Sequence, residues 1–233
     1  DYDDDIGVIR AYDLNSDGFD DAVYVNSNKI NAIDIQNQLI LASYKFDAYI
    51  WDFALTQVNG EHLMAVSQNY KLMLLKKGAS AFSDLDVTDK NCSRLEFANV
   101  DSDEQMELVC LIAQDHWSIA GTELVIFDIV ENKLVELNKA TLSFKALDFA
   151  VDTSTEMNQK LFMTSQEGDS SSYYDDENNY RITRVDAEGN LIWSSPALVG
   201  QPSRQGLKYK FRDDSHNLIL STNSSMYMIE KDI

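Results

Sequence analysis

The chain has 233 residues, 44% of them hydrophobic, which is enough to bury a substantial core and excludes a disordered composition. Its 19 Lys and Arg stand against 39 Asp and Glu, a formal net charge of −20. That balance excludes a nucleic-acid binder, which needs clustered cations, and an anionic-membrane binder; no apolar run reaches the ~20 residues of a membrane helix, so membrane insertion is not expected.

The chain opens on DYDDD, which reads as the start of a mature or trimmed product. The first ordered pattern runs from Ala11 to Ile33, AYDLNSDGFDDAVYVNSNKINAI: strand, Asp-rich turn, strand, short turn, strand. Within the turn, Asp13, Asn15 and Asp17 offer side-chain oxygens at alternate positions. Gly18 permits a sharp bend, the Phe19 carbonyl follows, and Asp21 closes the set from the next strand. Calcium takes 6–8 oxygen ligands, and three carboxylates this close repel one another unless a cation neutralises them. An EF-hand starts with the same pattern. It needs a Glu at its twelfth position, where this chain has Tyr24, and flanking helices, whereas AVYV reads as a strand.

A second unit, Phe53 to Leu75, keeps the strand–turn–strand order without the acids; Asn59 falls where Asp17 falls, 42 residues on. The third returns after a further 44 residues with NVDSDEQME, which offers Asn99, Asp101, Asp103, the Gln105 carbonyl and Glu107, with Glu104 in place of the glycine. Cys92 and Cys110 each lie nine residues from Asp101. A hairpin folded about Asp101 sets them face to face, so a disulfide is expected across the first two strands of this unit. It would close a loop of 18 residues, stabilising by about 3 kcal/mol in the chain-entropy model.

Two weaker copies follow: FKALDFAVD with KLFMTSQ, YRITRVD and NLIWSS, then LKYKFRDDSHNLILSTNSSMYMIE. An acidic insertion, Gly168 to Tyr180, lengthens the fourth. The units run roughly 1–49, 50–90, 91–142, 143–202 and 203–233. Repeats of ~40–50 residues holding three or four short alternating strands point to an all-β fold, a β-propeller of about five blades in one domain. The last blade has no fourth strand. Either the ring closes on a three-stranded blade, or the chain is part of a larger propeller whose remaining blades are its partner.

The stretch DLNSDGFDDAVYV, with an acid at the ninth position and a strand behind it, resembles the calcium-binding blades of FG-GAP and VCBS-type repeats. The resemblance implies calcium on Asp13, Asn15, Asp17, Phe19 and Asp21, and in the second loop on Asn99, Asp101, Asp103, Gln105 and Glu107. No catalytic motif or organic cofactor motif appears. His62, His116 and His216 stand in different units without ligand spacing and read as surface or turn residues. Trp51, Trp117 and Trp193 read as packing between blades. The expectation is a non-enzymatic, calcium-stabilised module that binds a protein or a surface polysaccharide, with the loop at 168–180 as a contact element. Its place is outside the cell, on the cell surface or in the periplasm, where disulfides persist. The alternative is a polysaccharide lyase or hydrolase on a propeller scaffold, which requires convergent acids, Arg or Tyr in the central channel.

Overall fold

The computed structural model describes residues 6–78, 81–101, 103–113, 120–152, 158–167, 179–212 and 215–230, and every regular element among them is a β-strand. Blade 1 is β1 (Ile6–Tyr12), β2 (Asp21–Asn26), β3 (Lys29–Asp34) and β4 (Leu39–Lys45). Blade 2 is β5 (Ile50–Val58), β6 (Glu61–Gln68), β7 (Lys71–Lys77) and β8 (Phe82–Thr88). Next come β9 (Cys92–Ala98), β10 (Glu107–Ala113), β11 (Gly121–Val130), β12 (Lys133–Asp152), β13 (Lys160–Glu167), β14 (Asn179–Val185) and β15 (Leu191–Ser194). Finally β16 (Pro202–Arg212), β17 (Ser215–Thr222) and β18 (Met226–Glu230) form a three-stranded sheet. All pairings are antiparallel between chain neighbours, as in the blades of a propeller.

The middle seven strands form one continuous sheet only because β12 is shared. Its first part, Lys133 to Thr141, pairs with β11 as the outer strand of blade 3. Its second part, Lys145 to Asp152, pairs with β13 as the innermost strand of blade 4. Gly121 sits at the start of β11 beside this junction, where Thr122 is an extra residue opposite β10. A Cβ there would lie 2.1 Å from the Ile112 carbonyl oxygen, so only glycine fits.

The core is a stack of four apolar layers, one between each pair of successive blades. Alternation along a strand sends consecutive residues to opposite layers. On β6, Met64 and Val66 face blade 1 with Val25 and Ile30, while Leu63 and Ala65 face blade 3 with Leu95 and Leu108. On β10, Leu108 and Cys110 face blade 2, and Val109 and Leu111 face blade 4 beside Phe149 and Met163. Phe162 and Ile182 meet Leu207 and Leu220 between blades 4 and 5, with Trp193 packed alongside. Burial on both faces is why these strands read as unbroken apolar runs rather than as an alternating pattern.

In blade 2 the first hairpin has lost its loop altogether. Val58 pairs with Glu61, and Asn59 and Gly60 bridge them with φ of 51° and 79°, the two left-handed residues of a type I′ turn. The Cys92–Cys110 disulfide is present, with Cα atoms 5.7 Å apart, but its register differs from the one expected. Cys110 opposes Leu95, and Cys92 opposes Ile112. Ser93 is an extra residue on β9; this bulge turns Cys92 onto the face that Cys110 occupies.

Candidate functional site

Loops 13–21 and 99–107 join the two innermost strands of blades 1 and 3, and their hydrogen bonds correspond residue for residue. The Leu14 N–H donates to Asp21 Oδ2 at 2.9 Å, and the Val100 N–H donates to Glu107 Oε2 at 2.8 Å. Asp17 N–H reaches Asn15 Oδ1 as Asp103 N–H reaches Asp101 Oδ1. Phe19 N–H reaches Asp17 Oδ1 as Gln105 N–H reaches Asp103 Oδ1. Gly18 takes φ of 90°, whereas Glu104 at the matching place takes no positive φ, so the second loop closes without a glycine.

The loops differ in where their carboxylates point. In the first, both Asp13 oxygens accept backbone N–H groups, from Asp17 at 3.1 Å and Gly18 at 2.9 Å. Asn15 Nδ2 donates to Asp17 and, at 3.3 Å, to Asp34 of β3. Phe19 is exposed, as suits a position that would serve through its carbonyl. In the second, one oxygen each of Asp101, Asp103 and Glu107 lie within 4.8 Å of one another, which is the group of three acidic ligands found among the described residues. Beside them Asn99 is buried; its Nδ2 donates to the Asp103 carbonyl at 2.7 Å, and its Oδ1 has no partner. The residue types suit a hard cation: carboxylates, an amide oxygen and a backbone carbonyl.

The electrostatics agree. Burial pushes the Glu107 carboxyl up to about 7; Asp101 and Asp103 add to this, against the Val100 N–H. Burial likewise raises Asp21, with Asp34 and Asp17 adding and the Leu14 N–H opposing. His62 on β6 joins the first loop, its Nδ1 3.2 Å from Tyr12 Oη and its Nε2 3.0 Å from Ser16 Oγ. It is therefore a half-buried bridge between blades 1 and 2, not a free surface residue. Burial and Lys77 lower its pKa; burial and Asp13 push Tyr12 up to about 12. His116, Trp117 and residues 168–178 of the acidic insertion lie outside the described residues.

A second charged constellation, which the sequence reading missed, lines the central channel. Arg10 of β1 contacts Asp52 of β5 at 3.3 Å and Glu96 of β9 at 2.6 Å. Arg94 of β9 contacts Asp52 at 2.8 Å and Asp148 of β12 at 2.5 Å. Asp52 Oδ2 accepts the Leu95 N–H, and Asp148 Oδ2 accepts the Leu207 N–H of β16, so the series crosses all five blades. Asp52 is fully buried, and Arg94 and Asp148 are nearly so. Burial alone would lower both arginines, but the carboxylates outweigh it and hold them above their ordinary value. The signal available in the sequence was a charge at the same place in each innermost strand: IRA, WDF, SRL and LDF. A hollow of about 410 Å³ opens beside Arg10, Arg94 and Glu96. A larger cleft of about 630 Å³ lies between blades 3 and 4, walled by Asp101, Asn158, Gln159, Lys160 and Arg184.

No protein-family model matches the chain, and no curated protein matches it. Solved structures do. The chain is similar to a structure described as the Dos1 propeller, with TM-score 0.56 and 15% identity over 93% of this chain and 58% of that one. It is similar to the dihydro-heme d1 dehydrogenase NirN in complex with DHE, with TM-score 0.59 and 14% identity over 96% of this chain and 44% of that one. It is also similar to BBS1N in complex with ARL6DN, with TM-score 0.66 and 11% identity over 97% of this chain and 64% of that one. The chain thus spans less than two thirds of each. At such identities the likeness shows the fold, and with the sheet order above it makes this chain a β-propeller.

Proposed function

We propose that this propeller is a calcium-stabilised protein-binding module of the FG-GAP/VCBS type. The observation that carries the calcium part is the convergence of Asp101, Asp103 and Glu107 beside the unpartnered Asn99 oxygen. Asn99 Oδ1, the three carboxylates and the Gln105 carbonyl would hold the ion, and Asp13, Asn15, Asp17, Phe19 and Asp21 would hold a second. The ion's chemistry there is charge neutralisation of a buried acidic cluster. Protein binding is supported by the likeness to a propeller whose structure holds a partner, BBS1N with ARL6DN. The disulfide favours an oxidising compartment, outside the cell or in the periplasm, where millimolar calcium suits loops of modest affinity.

Thermal melting in calcium and in EDTA tests the reading. An ion held by the folded state alone must raise the midpoint. Equal midpoints would remove calcium from the proposal.

A further inference from the structure

The blade 3 loop is held by blade 4 through three hydrogen bonds. The Asn158 N–H donates to the Asp101 carbonyl at 2.9 Å, and the Gln159 N–H donates to the Asn99 carbonyl at 2.7 Å. In return the Asn99 N–H donates to Gln159 Oε1 at 3.1 Å. Both residues gripped by blade 4 are thus ligand positions of the loop. Asn99 and Asp101 present side-chain oxygens toward the cluster and backbone atoms toward Asn158 and Gln159. The same two residues therefore carry both the ligand positions and the ties to blade 4.

We infer that Asn158 and Gln159 form a relay by which metal occupancy of the blade 3 loop sets the junction between blades 3 and 4, Gln159 acting as a positioning residue. The inference rests on the calcium reading above. Without the ion, carboxylate oxygens of Asp101, Asp103 and Glu107 stand within 4.8 Å of one another with nothing between them to hold them, and the Asn99 oxygen lacks a partner. Both conditions favour excursions of the loop, and each excursion strains the bonds to blade 4. With the ion, the side chains are fixed, so the Asn99 and Asp101 carbonyls become fixed acceptors. The coupling is reciprocal: whatever fixes Asn158 and Gln159 must tighten the metal by the same factor. It reaches the cleft of about 630 Å³, because Asp101, Asn158 and Gln159 all line it. The first loop has a different tie to its neighbour, His62 with Ser16 and Tyr12, so the two loops are read out separately.

Hydrogen exchange of the whole chain, in calcium and in EDTA, with calorimetric calcium titration alongside, tests this. The amides of Asn158 and Gln159 are expected to exchange about tenfold more slowly with calcium. Gln159→Ala should weaken calcium binding at this loop about 10-fold or more, as loss of a partner behind a ligand does. Gln159→Glu, which keeps the acceptor, should restore most of it. Calcium heat with unchanged exchange at 158 and 159, and wild-type affinity in Gln159→Ala, would overturn the relay and leave the calcium reading intact. Absence of calcium heat would overturn both.

Discussion

Glu107 is the residue on which the electrostatics of the blade 3 loop turn. Its carboxyl is held at about 7 against an ordinary 4.5. A carboxyl raised on folding keeps its proton in the native state after the unfolded chain has lost it. It therefore stabilises fully below pH 4.5, and that contribution disappears as pH rises to about 7. Metal-free protein should lose stability across that window, and calcium, by favouring the charged form, should flatten the loss. Glu107→Gln should flatten the slope and reduce the calcium response to that of the first loop, read by melting at several pH values. The grouping of Asp101, Asp103 and Glu107 was legible because each is a carboxylate at a particular spacing. The ranking of the loops was not. The regular loop, with its Gly18, turns the Asp13 oxygens onto its own N–H groups, whereas the irregular one, with Glu104, brings its acids together. Orientation of that kind depends on backbone contacts with other blades, which spacing does not encode.

At the scale of elements, strand order and the three strands of the last sheet among the described residues followed from the repeat. Register did not. Counting from Asp101 set Cys92 opposite Cys110; the structure needs the Ser93 bulge to bring them to one face. A bulge is a single surplus residue, invisible in a pattern that tolerates loops of varying length. Replacing both cysteines by serine should lower stability by about 3 kcal/mol through the freed 18-residue loop, with the blades retained. Chemical denaturation followed by circular dichroism measures it. Gly121 marks the other element-level constraint. Gly121→Ala sets a methyl group against the Ile112 carbonyl at 2.1 Å, where β10, β11 and β12 meet. It should cost at least the ~1–3 kcal/mol of an overpacked core. An unchanged denaturation midpoint would refute that reading.

Across the whole molecule, apolar layers join each blade to the next, and the charged series Arg10–Asp52–Arg94–Asp148 joins the innermost strands on the channel side. Layers of Leu, Val and Phe are forgiving of small slips between sheets; a buried Arg flanked by two Asp is not. In blade 5 the Asp148 carboxylate accepts the Leu207 N–H, as Asp52 accepts the Leu95 N–H in blade 3. Among 58 charged residues, four at equivalent places do not stand out until the strands are known to be innermost. The series makes a quantitative claim. Arg94→Met leaves Asp52 and Asp148 buried with, among the described residues, one cation near them, Arg10, which reaches Asp52 but not Asp148. Removing one member of such a set costs about 3–5 kcal/mol. Adding Asp148→Asn to Arg94→Met should recover part of that loss, since a neutral amide still accepts from Leu207 without a stranded charge. Denaturation midpoints of the two variants decide it. If the double variant is no more stable than Arg94→Met alone, the buried charge is not what the arginine was there to balance.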